Sequence, residues 1–219
     1  GDRIHSLQIR TSLAGAMMLR LIGGRFFRNA QPHCLNLLLS YEDGCHGRCA
    51  YCGLSRSRAG NFEEKTFIRV DWPSYPIEEI LKRIVRYGSK IKRICISMIN
   101  HPYAYKDMIE IGREIRKLTP TPLSALISPM LINREKLITI REAGFDILGI
   151  GLDAASKRVF EKRRGKGVNA PLKWERYIET LIEGSKIFGK EKVSCHIVVG
   201  IGETDRELVE IFLFLKSNN

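Results

Sequence analysis

From residue 33 onward, short apolar runs and helical patterns take turns along the chain. His33 to Tyr41 (HCLNLLLSY) reads as a strand, and residues 62 to 76 read as an extended or loop segment ending on Pro73 and Pro76. Between Ile77 and Tyr87 the apolar positions 77, 80, 81, 84 and 87 recur at helical spacing. Four strand–helix pairs follow: Ile91–Met98 with Tyr105–Leu118, Pro122–Ser128 with Arg134–Ala143, Asp146–Leu152 with Leu172–Phe188, and Lys192–Val199 with Asp205–Leu215. Such alternation with short connections predicts a parallel sheet of βα units. An eightfold barrel takes ~250 residues, so five units are too few to close one. Ahead of this run, Leu13 to Leu21 reads as a short amphipathic helix interrupted by Arg20, which makes residues 1–32 an N-terminal helical extension and 33–219 the main domain.

Alternation along the strands separates two faces. Cys95 and Ser97 share a face of the second predicted strand, with Ile94, Ile96 and Met98 opposite; Ser124 and Ser128 share a face of the third, and Ser194 and His196 a face of the fifth. Outer faces covered by helices should be apolar, so these small polar residues are expected to line the interior and make a substrate cavity.

Composition narrows the picture little. Hydrophobic residues are 44% and charged residues 27%, a globular balance that excludes a collagen, a disordered tail and a coiled-coil rod. No run reaches the ~18–20 apolar residues of a membrane helix, and no signal-peptide arrangement is visible. Charge adds more: 36 Lys+Arg against 24 Asp+Glu leave a net +12, which favours an anionic partner such as nucleic acid, an acidic protein or an acidic small molecule. The densest basic run, Lys157 to Lys166, carries six cations against Glu161 and reads either as a docking patch for an acidic carrier or RNA, or as a solvated face.

Six cysteines change the picture most. Cys45, Cys49 and Cys52 fall within eight residues, while Cys34, Cys95 and Cys195 stand singly. A disulfide framework fits such clustering badly, so a reducing cytoplasm is expected, and there a dense cluster points to metal. The run Cys45-His-Gly-Arg-Cys49-Ala-Tyr-Cys52 follows the first predicted strand directly, with Gly44 and Gly47 allowing the loop to turn. A closed zinc site wants four ligands, and His46 is too near in sequence to serve as the fourth. Three cysteines on an iron–sulfur cube leave one iron open; a zinc loop is the bland alternative.

Cys45-x3-Cys49-x2-Cys52 with Tyr51 before the last cysteine resembles the signature of the radical S-adenosylmethionine (radical SAM) superfamily. The resemblance implies an α/β partial (open) TIM-type βα barrel of five to six units, with a sixth strand expected beyond the supplied chain. It implies that the three cysteines hold a 4Fe-4S cluster and that S-adenosylmethionine (SAM) chelates its fourth iron. It further implies that Tyr51 packs near the adenine, that Asp153 in Gly149-Ile-Gly-Leu-Asp153 accepts from the ribose hydroxyls, and that Gly200 and Gly202 in VGIGET lie along the base. A helix N-cap is the competing role for Asp153. Arg176 is the candidate for the SAM carboxylate, or else a solvated helix arginine. The Gly-Gly-Glu that many members carry after the second strand is replaced here by Ser97-Met-Ile-Asn-His-Pro102.

ICISMINHP, LDAAS and VVGIGET are similar to the biotin synthase-related branch, and most to the half of two-protein archaeal lipoyl synthases. That resemblance implies sulfur insertion into an octanoyl chain on an acidic carrier domain, an electron donor such as ferredoxin, a second radical SAM subunit, and an auxiliary iron–sulfur cluster on some of Cys34, Cys95 and Cys195. Another radical SAM reaction, including RNA or cofactor modification, stays open beside it.

Overall fold

The computed structural model describes residues 4–28, 30–67 and 70–218. The chain ends, residues 1–3 and 219, together with Asn29 and with Ile68 and Arg69 of the extended segment, lie outside the described residues.

Seven strands form one sheet in the order β3 (Ser74–Pro76), β1 (Gln8–Thr11), β2 (Cys34–Leu39), β4 (Arg93–Ser97), β5 (Leu123–Ile127), β6 (Phe145–Asp153), β7 (Val193–Ile197). Its body is parallel: β2, β4, β5, β6 and β7 pair in sequence. Helices α2 (Ile77–Tyr87), α3 (Ala104–Leu118), α4 (Arg134–Glu142), α5 (Lys157–Arg163), α6 (Trp174–Phe188) and α7 (Asp205–Ser217) alternate with these strands, so the expected open α/β partial barrel is what the chain forms. No helix among the described residues is long and apolar enough to cross a membrane.

The N-terminal region departs from the expected helical extension. It carries helix α1 (Leu13–Met18), shorter than its apolar pattern, and ahead of it strand β1 (Gln8–Thr11), which pairs antiparallel with both β2 and β3 (Ser74–Pro76). Arg10 explains why a polar strand can sit there. Its buried guanidinium donates to Ser40 Oγ at 3.2 Å and to the carbonyls of Trp72 and Phe62, binding the loop segment to the sheet edge.

The two sheet faces sort as alternation predicts. Leu35 and Leu37, Ile94 and Ile96, Leu123 and Ala125, and Leu148 and Ile150 turn outward into the main core beneath the helices. On the concave side the register aligns Asn36, Cys95 and Ser124 in one row, and Leu38, Ser97, Leu126, Gly149 and Ser194 in the next. The second row runs toward the mouth formed by the carboxyl ends of the strands, where barrel enzymes place their chemistry.

Candidate active site

The cysteine loop leaves β2 and folds across that mouth. It rests on a small separate core of Leu38, Leu54 and Ile99, against which Cys45, Cys52, Tyr41 and Trp72 pack. Backbone bonds fix its first turn: Cys45 N–H donates to Leu54 O at 2.8 Å and Arg56 N–H to Cys45 O at 2.9 Å. Gly44 is needed here, since it sits at φ 79° and a Cβ would come within 2.9 Å of Leu54 O. Gly47 contributes differently from the flexible turn expected of it: its N–H donates to Cys45 Sγ at 3.3 Å.

Cys45 Sγ also accepts from the Asn100 N–H at 3.3 Å, while Asn100 O accepts from His46 N–H at 2.7 Å. The Met-Ile-Asn-His stretch after β4, which lacks the usual Gly-Gly-Glu, is therefore a clamp on the cysteine loop. Burial nonetheless pushes the Cys45 thiol up to about 11. Beside it, the ligand atoms of Asp43, His46 and His101 all lie within 4.8 Å of one another. His101 Nδ1 accepts from Tyr103 N–H at 3.2 Å, so Nε2 carries the proton that is shared with Asp43 Oδ1 at 3.0 Å. That tautomer leaves Nε2 no lone pair for an ion, and the trio serves as a brace for the loop.

The second sulfur meets a charge. Arg164 Nε donates to Cys49 Sγ at 3.3 Å, its Nη1 donates to the carbonyls of Gly151 and Leu152, and Nε lies 3.6 Å from Asp153 Oδ2. Burial opposes this guanidinium's charge, but Tyr177, Asp153 and Cys49 outweigh it and hold the group above its ordinary range. Tyr51 completes the set, its hydroxyl donating to Asp153 Oδ2 at 2.6 Å; burial raises that phenol well above its usual value. Asp153 ends β6 in a left-handed conformation, φ 60°, and does not cap α5; Ser156 does, accepting from Val159 N–H.

Gly200 and Gly202 follow β7 at φ 92° and 118°. Glu203 gathers the N–H groups of Gly200 and Ile201, and a Cβ at Gly200 would meet nothing within 4 Å, so the backbone stands open to a flat ligand. Arg163 ties this segment to the cysteine loop: its Nε donates to Ile201 O at 2.8 Å and its carbonyl accepts from Ala50 N–H at 2.9 Å. Arg176 sits in the first turns of α6 with its guanidinium on the Ile132 carbonyl and on Glu179, 3.1 Å away.

Thus Cys45, Cys49, Tyr51 and Asp153 converge, and Gly200 and Gly202 join them through Arg163. Cys52 packs under the same loop. Arg163 and Arg164 were missed as site residues, because in sequence they are two cations in a basic run. Most of that run is spent internally: Lys157 pairs with Glu175 and Arg158 with Glu207. Of the single cysteines, Cys34 and Cys95 meet at 3.3 Å, whereas Cys195 is on the outer face against the main core.

The donor set fits an iron–sulfur cluster better than one zinc ion. A tetrahedral zinc gathers its sulfurs to within ~3.8 Å, and among the described residues the three cysteine sulfurs are not gathered even within 4.8 Å. N–H donors on Cys45 and a guanidinium on Cys49 suit sulfurs that carry the negative charge of a cluster.

Known proteins share this fold. Methylornithine synthase (PylB) superposes with a TM-score of 0.62 at 15% identity, over 94% of this chain and 55% of its own. The FeFe-hydrogenase maturase HydG from Carboxydothermus hydrogenoformans gives 0.62 at 13% identity, over 83% and 39%. In sequence, GTP 3',8-cyclase of Limosilactobacillus fermentum is 22% identical over 188 residues, 83% of this chain and 50% of that protein, so the chain spans about half the length of the curated relative it matches. The family model of the radical SAM superfamily matches residues 39–215. With its cysteine loop at the mouth of an open βα barrel, the chain belongs to the radical SAM superfamily.

Proposed function

We propose that this protein cleaves SAM reductively and spends the resulting radical on a substrate held in the barrel. Cys45, Cys49 and Cys52 would hold a 4Fe-4S cluster, and that cluster would supply the electron for the reductive cleavage of SAM. The chain's own part is to position and to shield. Arg164 neutralises charge at Cys49, and Asp153 offers a carboxylate beside Tyr51 for ribose hydroxyls. Gly200, where a Cβ would meet nothing within 4 Å, leaves room for the base, and Arg176 is retained as the group for the SAM carboxylate once it leaves Glu179. The observation that carries this reading is the convergence of two cysteine sulfurs on N–H donors next to the Tyr51–Asp153 pair.

Within it, we take sulfur insertion into an octanoyl chain on an acidic carrier domain as the reaction to test first, with ferredoxin as the electron donor and a second radical SAM subunit as partner and sulfur supplier; an auxiliary cluster on this chain is set aside, because Cys195 faces the outer core, away from Cys34 and Cys95. The net +12 suits an acidic carrier. Six unbridged cysteines suit a reducing cytoplasm.

The test is anaerobic reconstitution followed by incubation of the reduced protein with SAM and an octanoylated carrier peptide, alone and with a candidate partner. About four irons per chain and 5′-deoxyadenosine are expected, both lost in Cys49→Ala. Zinc without iron would overturn the radical reading. Deoxyadenosine without thiolated peptide would leave that reading standing and remove sulfur insertion.

A further inference from the structure

Deeper in the barrel the sulfurs of Cys34 and Cys95 lie 3.3 Å apart, on neighbouring strands and facing the lumen. Asn100, which touches the cysteine loop, is five residues beyond Cys95 and past the end of β4, so this pair sits deeper in the barrel than the radical site. Around it stand Asn36, whose Oδ1 is 3.6 Å from Cys34 Sγ, and Arg93, which donates to Ser124 Oγ at 2.9 Å and pairs with Asp146 at 3.0 Å.

Two close thiols first suggest a disulfide, and the register argues against one. Asn36 is the residue opposite Cys95, which puts Cys34 two positions along the strand. Such diagonal neighbours are ~7–8 Å apart at the backbone, at or past the ~7 Å reach of a disulfide. The sulfurs meet only because both side chains lean together. Two thiolates on one tetrahedral ion, with Zn–S ~2.3 Å, sit ~3.8 Å apart, about half an ångström wider than here.

We propose that Cys34 and Cys95 form a two-thiolate site for a thiophilic divalent cation of the zinc class, with Asn36 Oδ1 as third donor.

The test uses the full chain with Cys45, Cys49 and Cys52 all changed to Ala, so that its outcome is independent of the cluster. Titration with Cd²⁺ alone should give one equivalent bound with a Cd–thiolate charge-transfer band. Adding Cys34→Ser or Cys95→Ser should weaken binding at least tenfold, whereas Cys195→Ser should not. Cd²⁺ should also slow thiol labelling at Cys34 and Cys95 in the unsubstituted background of that variant, a readout that needs no further substitution. Absence of Cd²⁺ binding, binding that survives both serine variants, or two thiols lost to a disulfide on exposure to air would each overturn the proposal.

Discussion

Arg164 is the residue on which the candidate site turns. It is buried, and one guanidinium serves a sulfur, two carbonyls, a carboxylate and the Tyr177 hydroxyl at 3.4 Å. Removing one side of such a buried arrangement leaves the other charge uncompensated, at about 3–5 kcal/mol. Arg164→Ala should therefore lower the unfolding midpoint by that scale and retain less iron after reconstitution. Arg164→Lys keeps the charge but not the fork, so it should recover part of the stability and little of the iron retention. Thermal unfolding and iron analysis on the same preparations check both. None of this was visible in sequence, where Arg164 is one cation among six; burial is a property of the fold and leaves no mark on a run of like charges.

At the scale of elements the chain was largely legible, because apolar spacing reports which face is buried. The helix expected at Ile77–Tyr87 is α2 to the residue, and each parallel strand lies within its expected span except β6, which runs one residue past it at each end. What escaped were β1 and β3, four and three residues long, whose strand character comes from antiparallel partners distant in sequence, and α5, whose apolar contribution is only Val159 and Phe160. Helix–sheet contact gives one prediction. A Cβ at Gly112 on α3 would come within 2.5 Å of the Phe145 ring on β6, so Gly112→Ala should cost about 1–3 kcal/mol in urea unfolding despite its better helix propensity. A second concerns α7, whose capping box uses Glu207. That carboxylate also accepts from Arg158 at 2.6 Å and Ser156 at 2.6 Å, and these bonds hold it down from 4.5 to about 2. A lowered folded-state pKa means stability that is full above 4.5 and is lost as the pH falls toward 2. Glu207→Gln should be less stable than the parent at neutral pH, with the gap closing across that window in pH-dependent melting curves.

Over the whole molecule the two cores are unequal, and they should fail separately. Ile96 belongs to the main core and is fully buried; Leu54 belongs to the small one under the cysteine loop. Ile96→Ala should lower global stability by about 2–5 kcal/mol. Leu54→Ala should instead speed amide exchange in residues 42–58 and loosen iron while moving the global midpoint less, which hydrogen-exchange mass spectrometry would resolve. Equal global losses from the two variants would show that loop and barrel unfold as one unit. The sheet itself has a further consequence. Ser194 and His196 stand on the concave face of β7, so a guest laid along that strand meets an alcohol and an imidazole in turn.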